Sequence, residues 1–451
     1  MNGLGQIRRL LGYRDFRFLW FAQSTSVIGD NIVVVALALF VIGRTGSATD
    51  LGLVLAAASL PLVAFVLVGG VWADRLPRQR VMIATDLVRF TLHALLAGLI
   101  FSGAVQIWQV VIIEMLFGSA EAFFRPASNG LLPQTVPEAD IQEATAVTTM
   151  SNNVAEFAGP ALATALVLGA GAGWAFAVDA GTFLLSAACL TRVHPRRRAS
   201  AAGLAAAPPA SANLAAGEDG AGGEPAPDAG TLWAELRDGW REVRARAWVW
   251  ATLAAFCVAL FCGLAPWIVL GPVVAREQYG HLGVFGFVEA AFGLGTILGS
   301  LLGIGWRPRH PMRMAMLAML LWPLAAILYA AGISLILVVP SAVIAGAGIS
   351  LFDVWWLTAL AERIPPEKLS RVTSYDWMVS LGLLPLGYLL AGPLANALGA
   401  VEVLVGGSVL ALAAMALGML PRETRMLERL RPGEQIARIE EPLPELAHRG
   451  P

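Results

Sequence analysis

Apolar residues in this chain gather into runs of about 17–25, the length a helix needs to cross a hydrocarbon core. Such runs lie near residues 16–42, 51–72, 81–102, 106–125, 147–169 and 174–192. Six more lie near 247–274, 283–304, 312–332, 335–360, 372–395 and 401–420. The pattern predicts an all-α integral membrane protein with twelve spanning helices. Between the sixth and seventh runs, residues 199–230 are nearly all Ala, Gly, Pro and Ser with a few acids. That composition cannot bury a core, so it predicts a flexible linker. Beyond it, Trp233, Leu236, Trp240 and Val243 recur every three or four residues, with Arg237, Arg241 and Arg244 on other faces. An amphipathic helix over 231–246 is expected, lying on the inner membrane surface or, alternatively, against a partner protein. The expected organisation is a leader (1–15), a six-helix bundle (16–192), a linker (193–246), a second bundle (247–420) and a tail (421–451).

Composition narrows the class. Of 451 residues, 57% are hydrophobic and only 14% charged, against the roughly quarter usual in soluble domains. Net charge is −1, which offers no steering toward nucleic acid. Cys189, Cys257 and Cys262 sit inside apolar runs at spacings that suit small packing residues. The basic residues cluster at the amino terminus (Arg8, Arg9, Arg14, Arg17), in the 2–3, 6–7, 8–9 and 10–11 loops, and in the tail. Arg44 and Arg276 alone fall on the opposite face. By the positive-inside rule, leader, linker and tail are cytoplasmic, and the apolar run after the leader is too long for a cleavable signal. No phosphate-binding Gly-Lys-Ser/Thr loop and no His/Cys metal spacing is present, so neither an enzyme nor a cofactor or metal site is expected.

The two sets of six runs echo one another. Gly118, Phe123-Phe124-Arg125-Pro126, Pro137-Glu138 and Gly159-Pro160 in the first are answered by Gly348, Phe352-Asp353, Pro366-Glu367 and Gly392-Pro393 in the second. Two similar halves on a cytoplasmic linker suit a rocking transporter with its site at the midplane. Ionisable residues inside spans cost about 2.5–3.5 kcal/mol each on insertion scales, so each is a functional candidate. Asp30, Glu114, Glu156 and Glu289 stand within spans with no Arg or Lys expected near them. They are candidates for proton coupling or for binding a cationic substrate. The alternatives are a hydrogen-bonded kink for Asp30 beside Asn31, and a shared proton, or bonds to Asn152 and Asn153, for Glu114 and Glu156. Glu289 is alternatively a solvated group near the outer face. His93 is expected to be a packed histidine, and Asp179, Asp353 and Asp376 lie near span ends. Asp86 with Arg89, and Glu121 with Arg125, have ion-pair spacing. Gly159-Pro160 and Pro385 are expected to bend their helices.

Span 2 runs into Gly69-Gly70-Val71-Trp72-Ala73-Asp74-Arg75-Leu76-Pro77-Arg78-Gln79-Arg80. This resembles the loop signature of the major facilitator superfamily at Gly70, Asp74, Arg75, Arg78 and Arg80, with Pro77 where that family usually has Gly. Tyr13-Arg14-Asp15-Phe16-Arg17, with Gly29-Asp30, is similar to the multidrug, macrolide and enterobactin exporters of that superfamily. The resemblance spans residues 13–420. It implies two pseudo-symmetric six-helix bundles, and an Asp74 latched to span 11 in the outward-facing form. Gly70, Asp74, Arg75, Arg78 and Arg80 would then form a gate network with Asp86, Arg89, Glu121 and Arg125. The Gly159-Pro160 pair resembles the Gly-Pro motif those exporters carry on span 5.

The expected function is therefore proton-coupled antiport of amphipathic small molecules, such as drugs, antibiotics or siderophore-like metabolites, across the cytoplasmic membrane. A monomer in contact with lipid is expected. The alternatives are a nutrient-uptake symporter and a non-transporting membrane sensor or assembly partner acting through 231–246 and the tail.

Overall fold

The computed structural model describes residues 3–137, 140–194, 237, 240–364, 372, 373, 375, 376, 378 and 382–429. The side chains at 3–7, 66–75, 142 and 304 lie outside that description. Among the described residues every regular element is a helix. The first half holds α1 (Gly3–Gly12), α2 (Arg14–Thr45), α3 (Ala48–Arg75), α4 (Arg78–Phe101), α5 (Ile107–Leu131), α6 (Ile141–Gly169) and α7 (Ala172–Leu190). The second holds α8 (Ala247–Ala259), α9 (Ala265–Tyr279), α10 (Gly283–Gly305), α11 (Pro311–Met319), α12 (Leu321–Ala330), α13 (Leu335–Arg363), α14 (Leu384–Leu398), α15 (Ala400–Gly418) and α16 (Arg422–Met426).

Among the described residues ten spans, counting α8–α9 and α11–α12 as one each, are long and apolar enough to cross a membrane. The remaining two of the expected twelve are α6 and the short α14. The first half of α6 is polar, with Thr145, Thr148, Thr149, Ser151, Asn152 and Asn153. The Thr and Ser hydroxyls there donate to carbonyls four residues back at 2.9–3.1 Å, which satisfies them without a partner helix. Two expected spans are interrupted. Between α8 and α9 the chain makes a π-turn at Leu260–Leu264, and Pro266 opens α9. Between α11 and α12 the break falls at Leu320, three residues before Pro323, which lacks the N–H its turn would need.

The two halves repeat one packing scheme. In the first, α3 packs on α5, α4 on α7, and α2 on α6 and α7. In the second, α10 packs on α13, α12 on α15, and α8–α9 on α14 and α15. Small residues allow the closest approaches. Gly118 of α5 faces the Ala58 carbonyl of α3, and Gly346 of α13 faces the Phe292 carbonyl of α10. Gly346 thus takes the packing role of Gly118, whereas Gly348, its expected echo, faces Ala318 of α11.

The halves meet along two seams, α3 with α14 and α6 with α10. In the first, Gly392 packs on Ala48 and Thr49, Gly52 on the Tyr388 carbonyl, and Asn396 Nδ2 donates to Thr49 Oγ1 at 3.1 Å. In the second, Gly286 meets Thr164 and Gly293 meets Phe157. These contacts lie toward the arginine-poor end. Past Phe157, Met150 and Val154 of α6 are exposed, and Gly299 and Gly303 of α10 pack instead on Ala347 and Val354 of their own half. The second seam therefore closes only from that end to about the middle. A thiol pair at Thr49→Cys and Asn396→Cys is expected to cross-link efficiently with a short bifunctional reagent and to stop substrate movement until reduced. Unimpeded movement in the cross-linked protein would show that this seam never opens.

The leader and the start of the tail are docked. Arg9 of α1 donates to Asp140 and Glu143 at 2.7 Å each, Tyr13 Oη donates to Asp140 at 2.7 Å, and Leu10 is fully buried. In the second half Arg309 donates to Glu428 at 2.8 Å. Of the amphipathic stretch expected over 231–246, residue 237 and residues 240–245 are described and helical. Most of the linker, including 199–230, lies outside the described residues, as does the tail from 430 on. Val243 is buried in the core of the second bundle, and the Trp240 ring lies 5.8 Å from that of Tyr375. This end of the stretch packs on protein as well as facing outward.

Candidate functional site

Three spans of the first bundle carry polar side chains at helical spacing. On α4 these are Asp86, Arg89 and His93, on α5 Glu114, Glu121 and Arg125, and on α7 Asp179 and Ser186. Steps of three, four and seven place each set on one helix face. The packing of α4 against α5 and α7 turns the three faces toward one another, and α2 adds Asp30.

Arg89 is the centre of this cluster. Its side chain is 0% exposed. Nη2 donates to Asp86 Oδ1 at 2.5 Å, and Nη1 donates to Glu121 Oε2 at 2.7 Å. Nη1 also lies 4.0 Å from Asp30 Oδ2. Asp86 takes a second bond from Ser186 Oγ at 2.6 Å, and Glu121 a second from Arg125 Nε at 2.8 Å. The guanidinium carbon sits 4.0 Å from the Phe124 ring centre and 4.4 Å from that of Phe183. A desolvated cation over two aromatic faces gains about 2 kcal/mol or more from the ring quadrupoles. The plane of the guanidinium lets one side chain bridge three carboxylates, which an ammonium cannot match.

His93 forms the deeper end. Nδ1 is hydrogen-bonded to Asp179 Oδ2, and Nε2 lies 3.7 Å from Glu114 Oε1. The ring stacks on Phe117 with centroids 4.2 Å apart and planes 3° apart. Asp179 in turn packs against Gly29 of α2, the residue before Asp30, where any Cβ would overlap its carboxylate. The two ends of the cluster are thus joined through α2.

Several expectations need correction. Asp30 has a cation close by, namely Arg89, and Asn31 bonds the Val27 carbonyl at 2.9 Å rather than forming a kink with Asp30. Asp86, Arg89 and Glu121 meet Asp30 in one network, and the exposed Arg125 joins it through Glu121. Glu114 faces His93, not Glu156. His93 and Asp179, expected to be a packing residue and a span-end residue, are both fully buried and bonded to each other. Glu156 is exposed on α6 and acts electrostatically on Asp353 of α13 across the halves. Glu289 is not merely solvated, since it accepts a 2.5 Å bond from Trp267 Nε1.

The helix-bend candidates divide. Pro160 lies inside α6, where its missing N–H leaves the Glu156 carbonyl without its helical donor, and Gly159 packs on the Asn31 backbone. Pro385 stands in the first turn of α14, just after a bend in the chain at Leu383. In the loop after α3, Pro77 with φ −58° is the cap of α4, and its carbonyl accepts from Arg80 N at 2.8 Å. Arg78 donates to the Gly130 carbonyl of α5 at 2.6 Å, and Arg80 is exposed. The side chains of Asp74 and Arg75, and the surroundings of Gly70, lie outside the described residues.

Among the described residues, ten apolar spans together with α6 and the short α14 form two repeated bundles, one with a charged core, and define a multi-pass membrane protein. The chain belongs to the Major Facilitator Superfamily, whose sequence pattern matches residues 19–384. It is 29% identical over 170 residues to the uncharacterized MFS-type transporter YfiS of Bacillus subtilis (strain 168), covering 38% of this chain and 40% of that protein. It is 28% identical over 151 residues to macrolide efflux protein A of Streptococcus pyogenes, covering 34% and 37%. The matched stretches thus span about two fifths of those two relatives. In fold it is similar to the crystal structure of the nucleoside transporter NupG, with a TM-score of 0.69 at 13% identity over 89% of this chain and 99% of that one.

Proposed function

We propose that this chain is a secondary transporter that exports amphipathic small molecules in exchange for protons, its halves alternating access to a site between them. The observation that carries the proposal is the Asp30–Arg89 pair. The Asp30 side chain is 31% exposed while its countercation is wholly buried and 4.0 Å away. The acid therefore opens onto the protein surface while the base does not. A proton arriving at Asp30 neutralises it and frees Arg89 to bind Asp86 and Glu121 alone, which alters the α2–α4 contact. Losing that proton restores the pull of Arg89 on α2. A side chain that changes a helix contact on gaining one proton is the element that coupling needs.

Similarity to a macrolide efflux protein supports export over uptake in this reading. Glu156 and Asp353, exposed on facing halves, supply the negative charge that attracts a cationic amphiphile. Both termini and the 193–246 linker lie in the cytoplasm on this reading, the protein acts as a monomer among lipids, and Asp74 latches the halves in the opposite state.

The test is proton movement from inverted vesicles on adding a macrolide or a cationic dye, for wild type and Asp30→Asn. Wild type should release protons with substrate and Asp30→Asn should lose that release by about tenfold or more. Substrate movement without proton movement in wild type overturns the coupling.

A further inference from the structure

In the deep end of the charged cluster, two polar atoms face one another without a hydrogen-bond partner among the described residues. His93 Nε2 and Glu114 Oε1 are 3.7 Å apart, both buried, and neither has a hydrogen-bond partner. The imidazole cannot turn to find another. It is bonded through Nδ1 to Asp179, stacked on Phe117, and edged by Phe176 at 5.7 Å and Phe183 at 5.9 Å. Leaving both buried atoms unbonded would cost several kcal/mol.

A proton on the line between them satisfies both, whichever tautomer is drawn. If His93 is an imidazolium, its Nε2–H donates to an ionised Glu114. If it is neutral with its hydrogen on Nδ1, the bare Nε2 needs a donor, and only a protonated Glu114 supplies one. If Asp179 is protonated and donates to Nδ1, the ring hydrogen is on Nε2 and again points at Glu114. Every assignment without an unpaired atom places one proton between Nε2 and Oε1.

The charge balance of the cluster points the same way. The carboxyl groups are Asp30 from α2, Asp86 from α4, Glu114 and Glu121 from α5, and Asp179 from α7. Facing them are Arg89 and His93 from α4 and Arg125 from α5, with only the hydroxyls of Thr182 and Ser186 added from α7. With no proton on the His93–Glu114 line and His93 neutral, carboxyls outnumber cations by three. Uncompensated charge is too costly to bury. The cluster must hold protons beyond the one assigned to Asp30.

We propose that Glu114, His93 and Asp179 form a second proton-binding site in the first bundle, distinct from Asp30. It deepens the coupling reading and rests on that reading only for its role in transport. The proton enters and leaves as H⁺ on the Nε2–Oε1 line, with no other bond made or broken. Asp179, packed on Gly29, links the state of this site to the helix carrying Asp30.

The experiment is a titration of the purified full-length protein in detergent, without substrate. The chain has five histidines, so ¹⁵N-histidine labelling with His93→Gln as the assignment control isolates the His93 ring signal. Difference potentiometry then compares wild type, Glu114→Gln, Asp179→Asn and Asp30→Asn. In wild type, the His93 signal should change protonation state only together with loss of about one proton that Glu114→Gln lacks. Asp30→Asn should remove a separate proton and leave the His93 signal in place. Asp179→Asn, which keeps the side-chain shape, should shift the His93 titration without abolishing it. A neutral His93 ring unresponsive to Glu114→Gln, with superimposable proton-binding curves, overturns the proposal. Export insensitive to Asp30→Asn sinks the coupling reading and leaves this site standing.

Discussion

Replacing Arg89 by Leu should destabilise the first bundle by about 3–5 kcal/mol, the usual cost of removing one partner of a buried ion pair. The charge removed is not a surface one. Asp86, its nearest partner, is also 0% exposed, and Glu121 is 15% exposed, so two carboxylates are left in a dry interior. Both must then bind protons or drag water into the bundle. Heating detergent-solubilised protein and following the monodisperse fraction by fluorescence-detected size exclusion gives the measurement. Two further variants separate charge from shape. Arg89→Lys keeps the charge but cannot reach Asp86 and Glu121 together from one ammonium, so it should recover the fold only in part. Arg89→Leu combined with Asp86→Asn and Glu121→Gln removes the stranded charges and should recover more stability than Arg89→Lys. A single Arg89→Leu as stable as wild type would mean that the cluster is hydrated.

Replacing Gly392 by Val should change the conformational balance more than the fold. A Cβ at Gly392 would run into the backbone of Ala48 and Thr49, which belong to the other half. Overpacking of this kind costs about 1–3 kcal/mol, but here the halves can relieve it by parting at the arginine-poor end. A bias of that size shifts the two populations by about 5–150-fold. Val269, fully buried beside this seam and 3.9 Å from the Cβ position of Gly52, is the reporter. In a chain otherwise free of cysteine, Val269→Cys should react with an impermeant maleimide many times faster when Gly392→Val is present. The contrast is Gly118→Val. Its Cβ would meet the Ala58 carbonyl inside a single bundle, where no opening of the halves gives relief. That variant should lower thermal stability and leave the labelling of Val269→Cys slow. Equal labelling in all three would show that the seam is not what keeps Val269 covered.

Both results depend on contacts between residues far apart in the chain, and this is where reading the chain alone stopped short. The polar stripes were visible. Asp86, Arg89 and His93 stand at steps of three and four, as do Asp179, Phe183 and Ser186 at four and three. A stripe says that a helix has a polar face, not which helix it turns toward. Sequence order offers Glu156 on the next span as one possible partner for Glu114, whereas α5 lies against α4 and meets His93. Arg89 is 59 residues from Asp30 along the chain, and only the fold sets them 4.0 Å apart. His93 looked like one isolated histidine because its partners come from two other spans. A search for polar stripes recurring on spans three, four and six would have found the cluster without naming its pairs.

The sequence by itself determined the number of spans, their order, the break into two sets of six and the sorting of arginine to one end. These depend on run length and local composition, which are properties of position along one line. It also carried the superfamily's loop signature around Gly70 and Arg78. Tertiary structure alone decided that Asp30, Asp86, Arg89 and Glu121 meet one another, and that His93 meets Glu114 and Asp179. It also decided that Pro385 stands in the first turn of a helix. The physical reason is the same in each case. In a low-dielectric interior a charge is tolerable only beside its partner, and partnership is set by which helix faces are pressed together.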